Sequence, residues 1–127
     1  MAIIGHGVDI VEISRIRTMV GEHPERFLDR VYSEQERLDS GTGKRRDEHL
    51  AVRFAAKEAA MKTLGTGWSQ GIGWTDVSVV KDEAGKPSLV VVGKAAEIAA
   101  ELGITAWHVS LSHTDTHAIA SVIAEGA

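Results

Sequence analysis
A chain of 127 residues, 43% of them apolar and none of them cysteine, has the size of one domain (residues 1–127) and enough apolar material for a single core. The missing cysteines exclude disulfides, thiolate metal sites and a cysteine nucleophile, and they fit a cytoplasmic setting. The net charge of −4 is unevenly spread: residues 1–62 carry 11 of the 14 Lys and Arg and 11 of the 18 Asp and Glu, so that half is neutral and locally rich in arginine. Such a half suits a phosphorylated ligand or an acidic protein partner. The acidic balance and a single "KRR" run argue against nucleic acid. The opening "MAIIGHGVDI" lacks the basic region of a signal peptide, and no stretch reaches the roughly 18 apolar residues of a membrane span.

In chain order, "AIIGHGVDIVEI" reads as a strand, and "VEISRIRTMV" as a short helix with Ile13, Ile16 and Val20 at helical spacing. "PERFLDRVYSEQERLDS" is a further helical or turn-helical segment. The glycines of "GTGKRR", residues 41–46, mark a loop. Asp47 is the expected N-cap of a helix running to Leu64, with Gly65 ending it. "TDVSVVKD" and "SLVVVG" flank "EAGKP" as a β-hairpin, "KAAEIAAELG" is a helix, and "AWHVSLSH" and "AIASVIA" are strands joined by "TDTH". The predicted fold is α+β: a mainly antiparallel sheet packed on one long central helix.

On that helix, residues four apart share a face, so Leu50, Phe54, Glu58 and Lys62 form a stripe that is apolar first and charged second. Glu58 and Lys62 are spaced for an ion pair, yet Leu50 and Phe54 turn the stripe inward, bringing Glu58 near other elements. Asp9 interrupts an apolar strand segment, where an unpartnered carboxylate would be costly. Two roles stay open for it: the cap of a helix starting near Ile10, or a metal ligand. Two carboxylates from separate elements suit Mg²⁺, which keeps waters and completes its octahedron with substrate phosphates. His113 and His117 are four apart but flank a turn and lack the adjacent glutamate of a zinc site.

Gly7-Val8-Asp9, the run "FAAKEAAMK" from Phe54 to Lys62, "LGTG", "GKP" and "HVSLSH" together resemble the holo-[acyl-carrier-protein] synthase family of small phosphopantetheinyl transferases, in the same order and over nearly the whole chain. The resemblance implies the phosphopantetheinyl transferase fold and transfer of the phosphopantetheine arm from coenzyme A to a serine of apo acyl carrier protein. It implies that Asp9 and Glu58 hold Mg²⁺ and that Lys62 neutralises phosphate charge. Lys44, Arg45, Arg46 and Arg53 would bind the nucleotide phosphates, and Gly65, Thr66 and Gly67 would let backbone approach the ligand. His113 would join the site of a neighbouring subunit in a homotrimer, and Arg15 and Arg17 would face the carrier protein. The base that takes the serine proton is either Glu58 or a metal-bound water. Two other functions use the same features: a Mg²⁺-dependent coenzyme A pyrophosphatase, and a non-catalytic module that binds coenzyme A or carrier protein. His6 is expected as a packed or partly exposed strand residue, His108 as structural, and "HTDTH" as a polar turn.

Overall fold
The computed structural model describes every residue, Met1–Ala127. Strand β1 (Ala2–Glu12) leads into helices α1 (Ile13–Glu22), α2 (Pro24–Val31) and α3 (Glu34–Ser40), and then the long helix α4 (Arg46–Leu64). A 3₁₀ turn, Trp74–Asp76, precedes the hairpin β2 (Val77–Lys81) and β3 (Pro87–Val91). Helix α5 (Gly93–Glu101) and the hairpin β4 (Ile104–His113) and β5 (His117–Gly126) complete the chain. The strands form a three-stranded sheet in the order β1-β5-β4 and the two-stranded β2-β3 ribbon, both antiparallel. The expected α+β architecture with a central helix is what the chain adopts.

Boundaries differ from expectation where local hydrogen bonding overrides periodicity. The segment read as one helical stretch after Pro24 is two helices. Ser33 breaks it, because its side chain accepts from Glu36 N–H while Glu36 caps Ser33 N–H in return. Helix α4 begins two residues earlier than expected, with Arg45 at the N-cap and no side-chain cap. Asp47 therefore lies in the first turn, where an acid favours the helix dipole, and it accepts a hydrogen bond from Arg17 Nε at 3.1 Å. Asp9 caps nothing: β1 continues to Glu12, and α1 starts at Ile13. Gly65 ends α4 in the left-handed conformation, φ +77°, as its position predicts.

Helix α4 lies across one face of the three-stranded sheet. Its Ala51, Ala55, Ala56, Ala59 and Ala60 are fully buried, as are Ala118, Ala120, Val122 and Ala124 of β5. Small side chains on both surfaces let helix and sheet approach closely. The approach is tightest at β1. A Cβ on Gly7 would sit 2.0 Å from the Ala59 carbonyl oxygen, and one on Gly5 would sit 2.5 Å from that of Thr63. Thr63 Oγ1 bonds its own helix at Ala59 O, at 2.8 Å. Strand β1 is thus held against the last turns of α4 by backbone contact.

The other flank of α4 buries charge. Lys57 Nζ lies 2.7 Å from Glu36 Oε1, and both side chains are fully inaccessible. Lys57 also donates to the carbonyls of Trp74 and Val77, while Glu36 Oε2 accepts from Val79 N–H at 3.0 Å. One ion pair therefore ties α3 and α4 to the 3₁₀ turn and β2. Burial holds the Lys57 ammonium below the usual lysine range even though Glu36 pulls it upward. The pair and its hydrogen bonds fix how α3, α4, the turn and β2 are arranged. No helix is long and apolar enough to cross a membrane.

Candidate active site
The G-x-D and K-E-A-x-x-K segments meet because β1 runs beside the end of α4. Asp9 emerges two residues after Gly7, on the helix-facing side of β1, with its side chain 17% exposed. Lys62 Nζ donates to Asp9 Oδ1 at 3.0 Å and to Val8 O at 2.9 Å. The lysine is thus not paired with Glu58, as the four-residue spacing suggested, but bridges helix and strand. An ammonium has three donors, so one is left for a ligand. Glu58, one turn before Lys62, accepts from Trp68 Nε1 at 3.2 Å. The hydrogen bond uses one carboxylate oxygen and leaves the other without a protein partner.

Two hard oxygen donors, one from a strand and one from a helix, with a lysine paired to the first, are the donor types a Mg²⁺-type ion takes. No group of three or more His, Asp or Glu side chains gathers anywhere in the chain. The protein would supply only Asp9 and Glu58, leaving the remaining positions to water and phosphate oxygens. His113 and His117 form no metal cluster. His117 Nδ1 lies 2.9 Å from Thr116 Oγ1, and the turn is closed by Thr114 N–H donating to His117 O.

The remaining expected residues are distributed along α4. Gly65, Thr66 and Gly67 follow its end beside Lys62, with Gly67 also left-handed at φ +60°. Lys44 and Arg45 are exposed before its start, and Arg46 lines a cavity of about 740 Å³ together with Leu28, Tyr32, Arg37, Leu38 and Thr42. Arg46 and Glu58 are twelve residues apart, about 18 Å along the helix. His113 stands near the start of the helix, 3.4 Å from Glu48 Oε2, and so well away from Glu58 in its own chain.

Arg53 does not join the basic loop. It is 1% exposed, its Nη1 donates to His49 O at 2.9 Å, and Nε and Nη2 have no partner. Burial pulls its guanidinium below the usual range. In this chain it lies in the interior beside Glu36 and Tyr32, whereas Lys44 and Arg45 are exposed. Arg17 is engaged with Asp47, whereas Arg15 is exposed, with its guanidinium 5.7 Å above the Phe54 ring. Arg15, Met19, Phe27, Arg30, Phe54 and Trp74 line a small groove of about 240 Å³. His6 is exposed and lies 3.0 Å from Ser121 Oγ, and His108 lies 2.5 Å from Glu125 Oε1, which leaves both as strand-surface residues.

Sequence reasoning gave no role to Lys57, Glu36 or Trp68. The first two face each other across 21 residues of chain, and periodicity reveals a face but not its partner. Trp68 sits in a glycine-rich loop, whose return over α4 requires the left-handed residues Gly65, Gly67, Gln70 and Gly71.

Comparison with known proteins agrees with this geometry. The family pattern of the 4′-phosphopantetheinyl transferase superfamily matches residues 5–122. A holo-[acyl-carrier-protein] synthase of Edwardsiella ictaluri is 48% identical over 126 residues, covering 99% of this chain and 100% of that one. One of Koribacter versatilis is 45% identical over 123 residues, covering 97% and 98%. Among solved structures, the Neisseria meningitidis synthase superposes with a TM-score of 0.86 at 32% identity, covering 98% of this chain and 99% of that one. A Bacillus anthracis synthase in complex with coenzyme A (3′,5′-ADP) gives 0.80 at 35% identity, covering 98% of each. The chain therefore belongs to the 4′-phosphopantetheinyl transferase superfamily, among the holo-[acyl-carrier-protein] synthases.

The contact at Gly7 yields a direct test. Gly7→Ala places a methyl group against the Ala59 carbonyl, so β1 must move off α4 and carry Asp9 with it. A shift near 1 Å at a reacting centre can cost about 10²-fold in rate. Transfer assays on the variant should show a loss of about that size, alongside a lowered melting temperature. Unchanged activity would mean that the strand position does not set the site.

Proposed function
We propose that this chain transfers the 4′-phosphopantetheine arm of coenzyme A to a serine of apo acyl carrier protein, giving holo acyl carrier protein for fatty acid synthesis and releasing adenosine 3′,5′-bisphosphate. The observation that carries this reading is the pairing of Asp9 with Lys62, one helical turn from Glu58, which supports equipment for a diphosphate and not for a covalent intermediate. Mg²⁺, when bound between the two carboxylates, would neutralise the diphosphate of coenzyme A.

In this reading the serine oxygen attacks the phosphorus that bears the pantetheine arm. The bond from that phosphorus to the bridging oxygen breaks, and the oxygen leaves with the nucleotide. Lys62 offers its free donor to the charge that develops, and Glu58 orients the water that takes the serine proton. Lys44, Arg45 and Arg46, at the same end of α4 as His113, meet the remaining nucleotide phosphate in a neighbour's site, and the backbone of Gly65, Thr66 and Gly67 approaches the ligand next to Lys62. Residues 1–127 act as one transferase domain, and we assign it to the cytoplasm.

The site is completed between copies. The sheet face opposite α4 carries Val8 at 44%, Ile10 at 61% and Ile119 at 40% exposure, an apolar surface that a second copy would cover. His113 lies too far along α4 to reach Glu58 in its own chain, so we assign it to a neighbour's site in a homotrimer. Arg15 and Arg30 rim the small apolar groove at Phe54, which suits an acidic partner presenting one apolar side chain. We assign that groove to the carrier protein, with Arg17 at its margin.

Intact-protein mass spectrometry of apo carrier protein incubated with coenzyme A and Mg²⁺ should show the mass of one phosphopantetheine arm added. Free phosphopantetheine without modified carrier would identify a pyrophosphatase, and neither product a binding module. Asp9→Ala and Glu58→Gln should each lower transfer by about 10²–10³-fold or more while circular dichroism stays native. Substantial activity in both at saturating Mg²⁺ would remove the metal assignment. Arg15→Glu should raise KM for carrier protein several-fold and leave KM for coenzyme A unchanged, because rim charges act on association. Equal damage to both constants would remove the docking assignment.

A further inference from the structure
The proposed metal ligand Glu58 is held by a residue outside the family motifs. Trp68 Nε1 donates to Glu58 Oε1 at 3.2 Å. The indole cannot swing freely, because its ring stacks on Trp74 with centroids 3.8 Å apart. Trp74 stacks in turn on Phe54 at 5.1 Å, and its carbonyl accepts a hydrogen bond from the buried Lys57 at 3.1 Å. Phe54 and Glu58 are one turn apart on α4, so Trp74 covers the apolar half of the stripe and Trp68 covers the charged half. Three residues that α4 itself supplies, Phe54, Lys57 and Glu58, thus fix the two tryptophans that lie over them.

We propose that Trp68 is a positioning residue for metal binding: its indole N–H pins one oxygen of Glu58 and leaves the other free for the ion. The proposal rests on the reading of Asp9 and Glu58 as metal ligands and adds to it a partner that no ligand motif contains. A glutamate on a helix end has three side-chain torsions, and a single fixed donor removes most of that freedom before the ion arrives. Groups that hold a ligand from outside typically account for about 10–100-fold in metal affinity or activity. An indole is suited to this task because it donates without accepting and carries no charge to compete with the ion.

The experiment measures Mn²⁺ binding by electron paramagnetic resonance, with coenzyme A present and no carrier protein, so that no turnover occurs. Trp68→Phe keeps an aromatic ring for the stack and deletes only the donor. Its Mn²⁺ dissociation constant should rise about 10-fold or more. The KM for carrier protein should stay unchanged, and the metal concentration needed for half-maximal transfer should rise in parallel. Trp74→Phe, which leaves the indole N–H in place, should bind Mn²⁺ nearly as the unaltered chain does. It also serves if Trp68→Phe folds poorly, since Mn²⁺ binding should then quench the fluorescence of Trp68 beyond that of Trp107, the other tryptophan left. Equal Mn²⁺ affinity in the unaltered chain and Trp68→Phe, or no quenching in Trp74→Phe, would overturn the role of Trp68 alone. Absence of Mn²⁺ binding to the unaltered chain would overturn the metal reading and this proposal with it.

Discussion

The backbone contact between Gly7 and Ala59 is the constraint from which the site follows. Strand β1 can lie this close to α4 only where no Cβ intervenes, and a side chain at Gly7 would overlap the Ala59 carbonyl oxygen. Two residues later, on the same face of the strand, Asp9 emerges at the height of Lys62. The glycine therefore acts through distance: it sets how near the strand carboxylate Asp9 comes to Lys62 on the helix. The alanines of α4 and β5 serve the same approach from the other strand, since larger side chains there would lift the helix away.

A second, buried constraint fixes the opposite side of α4. Lys57 and Glu36 pair without access to water, and between them they bind Trp74 O, Val77 O, Val79 N–H and Ser33 N–H. Burial lowers the ionisation range of Lys57, and the Glu36 charge acts against it. Directional hydrogen bonds are what the pair supplies. They lock the 3₁₀ turn that carries Trp74, and through the stacked indoles they extend to Glu58. The K-E-A segment thus divides its charges: the first lysine looks into the core and the glutamate looks into the site.

Much of this was legible in the sequence because local chemistry dictated it. The alanine-rich run ending at Gly65 has one outcome, a helix with a left-handed stop. The turn residues of "EAGKP" and "TDTH" mark two hairpins directly. Asp9 stood out as a carboxylate in an apolar strand. What the sequence concealed depends on tertiary partners. Arg53 reads as one more phosphate-binding cation, and nothing in the sequence shows its burial against His49 O. The ion pair expected between Glu58 and Lys62 gives way to two longer-range partners, Trp68 and Asp9, one supplied by a loop and one by a strand. The Ser33 capping box was present in the letters "SEQE", but the surrounding charges masked the break between two helices.

The two ends of α4 carry different proposed parts of the site. Lys62 pairs with Asp9 near the last turn, with Glu58 one turn before, while His113 lies by Glu48 near the start. The central claim is that the site closes only when two copies bring these ends together. Mixing two inactive variants, Glu58→Gln and His113→Ala, after subunit exchange under mild dissociating conditions tests it most directly. Some mixed assemblies would then join an intact carboxylate end to an intact histidine end. Transfer activity should reappear in the mixture well above that of either variant alone. A mixture no more active than its components, with exchange verified by mass spectrometry, would contradict a site shared between copies.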